Sequence, residues 1–297
     1  MLYFILGISV ICVVILLVYS NTEKGKKIRA EEAEKQKKIE KILNDEMLEE
    51  ILKIFNTKTE KDCFNMIPVD EEPDLMDNKI GGIPYFPENE IYPMDKSGNP
   101  MFFLFQVNLD EIDLKGFPKE GILEVFVGED CCEEYDNYQI KIFDKGLQQK
   151  ENLPNAKIEV INIEKPIKIK LEKNKSYMSM EEYRCQDIVE EIMQKQKVQA
   201  EDEKMKDIII DKIMCYISEK NNEYFYKSTI GGYAEFIQGD PRDADLDEKY
   251  NECLFKINSR ISDKINIEDN GIVNGLINSE DRIQGRLNKA KVYIDSF

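Results

Sequence analysis

Residues 2–19, LYFILGISVICVVILLVY, form an uncharged and almost wholly apolar run. At about 1.5 Å per residue it would reach roughly 27 Å as a helix, close to the thickness of a bilayer core. The run predicts one membrane-spanning helix within residues 1–20, with Tyr3 and Tyr19 near its two ends. Lys24, Lys26, Lys27 and Arg29 follow it and nothing basic precedes it. This asymmetry predicts a single-pass protein of the cell membrane whose C-terminal part is cytoplasmic.

Residues 21–60 read as a charged spacer followed by an amphipathic helix. Between Glu23 and Thr59 there is no Pro and one Gly, Gly25, and the rest are mostly helix formers. Glu31 to Lys38 is polar on all sides, whereas Ile39, Leu43, Leu48, Ile51, Leu52 and Phe55 draw an apolar stripe. The stripe predicts docking on a domain, with a coiled-coil dimer as the alternative.

Residues 61–297 show the alternation of strands. MFFLFQVNL (101–109), GILEVFVG (121–128) and YQIKIF (138–143) are followed later by ECLFKIN (252–258), GIVNGLI (271–277) and AKVYIDSF (290–297). The two sets are copies at an offset of 150 residues. Gly81-Gly82 meets Gly231-Gly232, Phe86 meets Phe236, Leu104-Phe105 meets Leu254-Phe255, Asn108 meets Asn258, and Gly121-Ile122 meets Gly271-Ile272. The repeat covers about 79–150 and 229–297. Segments 157–163 and 166–171 predict two more strands, and 180–220 predicts two helices divided near 194–204, so that 155–220 fills the space between the copies. The expected fold is α+β: duplicated, mainly antiparallel sheet units with packed helices, preceded by the membrane helix and a helical stalk.

Composition then removes reactions. The chain has 297 residues and no His, which excludes Ser-His-Asp catalysis and His-ligated metals. Its net charge is -18, and because ten basic and ten acidic residues balance between Asn21 and Glu60, the whole surplus belongs to 61–297. Such a surface disfavours nucleic acid and favours a basic protein partner. Seven cysteines with no C-x-x-C spacing fit reduced thiols in a cytosolic domain.

The runs KIGGIPYFPENEIYP, FFLFQVNLDEI, GILEVFV, IGGYAEFIQGDPR and KVYIDSF resemble the YwqG-like family, a group of bacterial proteins of unknown function. The resemblance covers roughly 64–297. Its GG-x-P-x-x-P loop and the aromatic-Pro step beyond it match Gly81, Gly82, Pro84, Pro87, Tyr92 and Pro93, and its second GG loop with Q-x-D-P-R matches Gly231, Gly232, Gln238, Asp240, Pro241 and Arg242. The chain departs where the family has Trp, since it has none, and Ala234 stands where Pro often follows the second Gly-Gly. The resemblance implies an α+β fold and no particular activity.

Candidate ligand- or partner-binding residues are Gly81, Gly82, Pro84, Tyr92, Gly231, Gly232, Gln238, Asp240 and Arg242. Gln238, Asp240 and Arg242 could hold a small polar ligand or a peptide carboxylate, against an Asp-Pro turn in which Arg242 ties to a neighbouring acid. Neither Gly-Gly loop has the spacing of a phosphate cradle. Acid neighbours raise the thiol pKa of Cys131 and Cys132 and favour an unreactive loop. The clusters Asp70 to Asp74 and Asp240 to Glu248 lack a complete calcium frame. No metal or cofactor is expected. The expected function is a non-enzymatic binding module at the membrane that takes a basic partner, one form being an immunity protein against a basic toxin. The alternative is an enzyme using carboxylates or Arg242 near the Gly-Gly loops.

Overall fold

The computed structural model describes residues 23–129, 137–243 and 249–296. Among these, no helix is long and apolar enough to cross a membrane. The expected architecture is corrected accordingly: over the described residues the fold is α+β, with no membrane-spanning helix among them. The run 2–19 that was to form that element lies outside the described residues, as do Cys131 and Cys132.

The described chain divides into two compact units. The first takes in the chain up to Phe55 together with Ile188–Tyr216, and the second Asn56–Asp187 with Ile217–Phe297. Helices α1 (Glu23–Ile42), α2 (Asp45–Thr59), α3 (Cys185–Lys195) and α4 (Glu203–Asn221) supply the first unit. Asn44 caps α2 by accepting the Met47 N–H at 2.8 Å, and Asp45 and Glu46 in its first turn suit the helix dipole. The polar stretch read as a charged spacer makes ion pairs: Lys35 pairs with Asp202 and Lys38 with Glu201, each at 3.1 Å. Glu201 and Asp202 stand just before α4, and Asp202 also caps it through the Met205 N–H. The helices flanking the 194–204 break therefore group with the N-terminal ones.

The second unit is a ten-stranded antiparallel sheet. Its strands are β1 (Lys61–Pro68), β2 (Lys79–Ile80), β3 (Phe102–Asn108), β4 (Ile122–Val127), β5 (Tyr138–Phe143), β7 (Ile167–Ser176), β8 (Thr229–Gly231), β9 (Glu252–Asn258), β11 (Ile272–Ile277) and β12 (Lys291–Asp295). A separate ladder joins β6 (Ile161–Ile163) to β10 (Ile265–Ile267). The order is β12-β11-β9-β8-β1-β7-β2-β3-β4-β5. The turn Leu287–Lys289 leading into β12 lies against β5, so the sheet curls towards a closed barrel.

This order has a pseudo-dyad between β1 and β7. One half is β2-β3-β4-β5 and the other β8-β9-β11-β12, related by the 150-residue offset. The leading strands are exchanged: β1 precedes β2 in the chain yet pairs with β8, and β7 precedes β8 yet pairs with β2. Neither half can complete its sheet without the other's leading strand, which makes the two repeats one folding unit.

The shared identities have structural causes. Leu104 and Leu254 are the extra residues of matching bulges, since Phe103 and Phe105 oppose Phe126 and Val125 while Cys253 and Phe255 oppose Leu276 and Gly275. Each bulge turns both Leu and the following Phe inward, and the Phe105 and Phe255 rings meet at 4.8 Å in an edge contact. Asn108 and Asn258 each cap a short 3-10 turn by accepting the N–H two residues on. The inner face forms the main core, with Ile80, Val125, Ile230, Ile257 and Val273 fully or almost fully buried.

Candidate functional site

Each Gly-Gly pair turns the chain over the outer face of its own half-sheet. Gly81 and Gly82 adopt φ of +68° and +81°, and Gly231 and Gly232 +74° and +81°. They also sit under other segments of chain. A Cβ on Gly81 would stand 2.8 Å from Ile163, and one on Gly82 2.8 Å from Pro166. The same addition on Gly231 would meet Leu114 at 2.8 Å, and on Gly232 Ser176 at 2.8 Å.

Beyond the first pair, the loop buries Tyr85, Phe86 and Tyr92 against Phe103, Phe126 and Phe143. Phe86 and Tyr92 meet at 5.3 Å, and Tyr92 meets Phe126 at 5.5 Å. The Tyr92 hydroxyl donates to the Met101 carbonyl, and burial raises its pKa, so it acts as a clamp on the loop and stays un-ionised. Beyond the second pair, Ala234 and Phe236 cover Cys253 and Leu276.

Two clefts flank the Gly-Gly turns at equivalent places. The first, of about 510 Å³, is lined by Gly81, Gly82, Ile83, Pro84, Tyr92 and Phe102, and faced by segment 154–166 with Lys157, Glu164 and Lys165. The second, of about 220 Å³, is lined by Gly231, Gly232, Glu252, Cys253, Lys61 and Arg282. Glu252 and Cys253 occupy the positions of Phe102 and Phe103. In the second cleft Arg282 binds the Glu252 carboxylate and the Lys115 carbonyl, so charged groups of the chain itself line it. Lys61 there stands 4.3 Å over the Tyr233 ring, and burial lowers its pKa. The first cleft has an aromatic ring where the second has Glu252, and Ile83 at its edge is 69% exposed.

Of the expected site residues, the structure brings together Gly81, Gly82, Pro84 and Tyr92 on the first cleft, and places Gly231 and Gly232 on the second. Gln238, Asp240 and Arg242 line neither. Gln238 is exposed and donates to the Ser296 carbonyl at 2.5 Å. The Arg242 side chain is 1% exposed and grips Asp240 with two bonds of 2.8 and 2.6 Å. Glu182 bridges Arg242 at 3.2 Å and Arg184 at 2.6 Å. Both guanidinium groups lie 5.0 Å from the Tyr183 ring centroid. Burial opposes the Arg242 charge, and the Asp240 bond and the Glu182 charge more than offset it, holding its pKa above the ordinary value. Four alternating charges thus hold the loop to the body of the unit. The Asp240-Arg242 pair is the internally tied turn, and its polar groups are spent on each other.

Sequence reasoning missed Ile83, Phe102 and the 154–166 wall. The signal that finds them is the repeat itself, read for differences: identities mark the shared scaffold, while Phe102 against Glu252, and Tyr85 against Glu235, mark where the halves diverged. Burial disfavours the thiolate form of the buried thiols. Burial pushes Cys63 up to about 11 and Cys185 and Cys253 to about 12.

The fold and site define an α+β domain of two like half-sheets, with one cleft at each Gly-Gly turn, the first carrying Phe102 where the second carries Glu252. The chain belongs to the DUF1963 family, a domain of unknown function, which it matches over residues 78–295. The match takes in every strand from β2 to β12, and the family name assigns no activity. No curated protein matches the chain.

Proposed function

We propose that this chain is a YwqG-like binding module without catalysis, and that its first Gly-Gly cleft takes a basic protein partner carrying an apolar anchor. The observation that carries this reading is the divergence of the two clefts: Phe102 replaces the Glu252 that holds Arg282, and Ile83 stands exposed at the edge. An apolar side chain of a partner finds an aromatic wall there, with Ile83 beside it at the edge. Charge supplies the rest. In sequence, the segment Asp70 to Asp95 that carries Ile83 and Tyr92 holds eight acids against one base, Lys79; Glu71 and Asp77 pair with Lys168, and the facing wall of the cleft sets Lys157 and Lys165 beside Glu164. The Lys79 amine is turned inward onto the Asp74 and Leu75 carbonyls. Glu88 and Glu90, within the same loop, are exposed. A field of this sign steers a basic partner and holds it less firmly as salt rises.

The test is a fluorescence titration of the full chain with a short peptide of Lys, Leu and Phe, beside its Glu-for-Lys counterpart. The reading expects saturable binding of the basic peptide, weakened at least tenfold between low and physiological salt, and none of the acidic one. Equal binding of both peptides, or salt-independent binding, removes it. The enzymatic alternative, with carboxylates or Arg242 near the Gly-Gly loops, has less support: Asp240 and Arg242 are enclosed in their own network, and the Glu124 carboxylate is completely buried.

A further inference from the structure

A second cavity opens on the other half of the sheet, where the two repeats differ by one ring. In the first repeat the Tyr85 phenol is buried; its hydroxyl donates to the Asp144 carbonyl at 3.0 Å and accepts the Leu147 N–H at 2.9 Å. The equivalent residue is Glu235, 150 positions on. Its carboxylate turns to the Lys256 amine at 3.0 Å, and it brings no ring to that place. A cavity of about 170 Å³ lies there instead, with Glu235, Phe236, Asn258 and Ile272 in its wall, the counterparts of Tyr85, Phe86, Asn108 and Ile122. A protein cavity of about 150 Å³ accommodates benzene, so this one has room for a single substituted ring.

The walls suit such an occupant. Phe225, Phe236 and Ile272 are buried and apolar, and Tyr226 is an exposed ring at the mouth. Arg260 stands beside it, its guanidinium 4.3 Å over the Tyr226 ring centroid. Among the described residues no carboxylate pairs with Arg260, in a chain with 59 acids and 41 bases. Two acids lie in the wall: the Glu235 charge is matched by Lys256, and Glu181 is exposed to solvent, where water screens it. A planar Arg fork next to an aromatic face is suited to a carboxylate attached to a ring.

We infer that this cavity is a binding site for one planar ring bearing a carboxylate, with the ring where the first repeat places the Tyr85 phenol and the carboxylate on Arg260. It is independent of the first Gly-Gly cleft and of any protein partner there. The experiment is calorimetric titration of the full chain with 4-hydroxybenzoate, with acetate and cyclohexanecarboxylate beside it. One saturable site is expected for 4-hydroxybenzoate. Arg260→Gln, at an exposed position, should weaken it at least tenfold, and Ser218→Phe, which places a ring in the cavity wall, should abolish it while the melting temperature stays near wild type. Absence of binding to the folded wild type overturns the inference. So does binding that survives both substitutions, or acetate binding as tightly as the aromatic acid, which would reduce the site to a plain anion contact.

Discussion

Glu124 and Asn274 hold the same position in the two repeats, and each lies beneath its Gly-Gly loop, but only Asn274 has its hydrogen bonds made. Asn274 accepts the Glu235 N–H at 3.3 Å and donates to the Glu235 carbonyl at 2.8 Å. Glu124 is completely buried, and neither carboxylate oxygen makes a hydrogen bond of normal geometry. The Tyr85 N–H that corresponds to Glu235 N–H donates instead to Gln106 at 2.9 Å. Burial drives the Glu124 pKa well above the ordinary carboxylate range, against the pull of the Lys79 charge and of the nearby Tyr85 N–H. As a neutral acid Glu124 has one donor and one acceptor, the complement that Asn274 uses.

That relationship predicts a pH effect. The folded pKa of Glu124 is raised above the unfolded one, so its contribution is intact below the ordinary value near 4.5 and is lost as pH rises towards the folded pKa. Over that window the loss is at most about 1.4 kcal/mol per pH unit. Glu124→Gln keeps a donor and an acceptor without the titration. Thermal melts from pH 4 upwards should show the variant near wild type at the acid end and increasingly more stable as pH rises. A variant less stable at every pH contradicts this.

The Arg242 network predicts a structural loss. Arg242→Met leaves Asp240 and Glu182 buried without their shared cation, and breaking a buried pair in this way costs about 3–5 kcal/mol. Denaturant unfolding should report a loss of that order. A variant of unchanged stability that alters some function would return these residues to a chemical role.

Gly275 predicts a steric one. Its Cβ would lie 2.3 Å from the Phe255 ring, so the contact of Phe255 with Phe105 requires its absence. Gly275→Val copies Val125 of the first repeat, yet it should destabilise the fold by about 1–3 kcal/mol through overpacking. Urea midpoints of this variant and of Val125→Gly, which loses core packing, should both fall. If Gly275→Val is neutral, the two halves are more alike in packing than the structure describes.

How much of this was legible before the fold is uneven. The repeat, the strands and the closing β12 were visible because alternation and turn glycines are local signals. The exchange of β1 and β7 was not, since strand order depends on contacts far apart in sequence. Gly81 and Gly231 were read as turn residues correctly, but the approach of Ile163 and Leu114 that also demands them comes from remote segments. For Arg242 the tied turn was legible beside the ligand reading, since Asp240 is two residues away, but Glu182, which helps to hold it, stands 60 residues away and was not. The ion pairs of the polar stretch of α1 were hidden for the same reason, since Asp202 lies 167 residues from Lys35. The first cleft became visible only when the copies were compared for their differences.

The most direct test of the central claim is the affinity of the basic Lys, Leu and Phe peptide for two variants, Ile83→Asp at the cleft edge and Ile283→Asp on the short α5 helix (Ser279–Ile283), both at exposed aliphatic positions. Each adds one negative charge, so electrostatic steering changes alike. If the first cleft holds the apolar anchor, Ile83→Asp weakens binding at least tenfold and Ile283→Asp leaves it unchanged or slightly tighter. Equal affinity of the two variants would contradict the assignment of the first Gly-Gly cleft as the binding site.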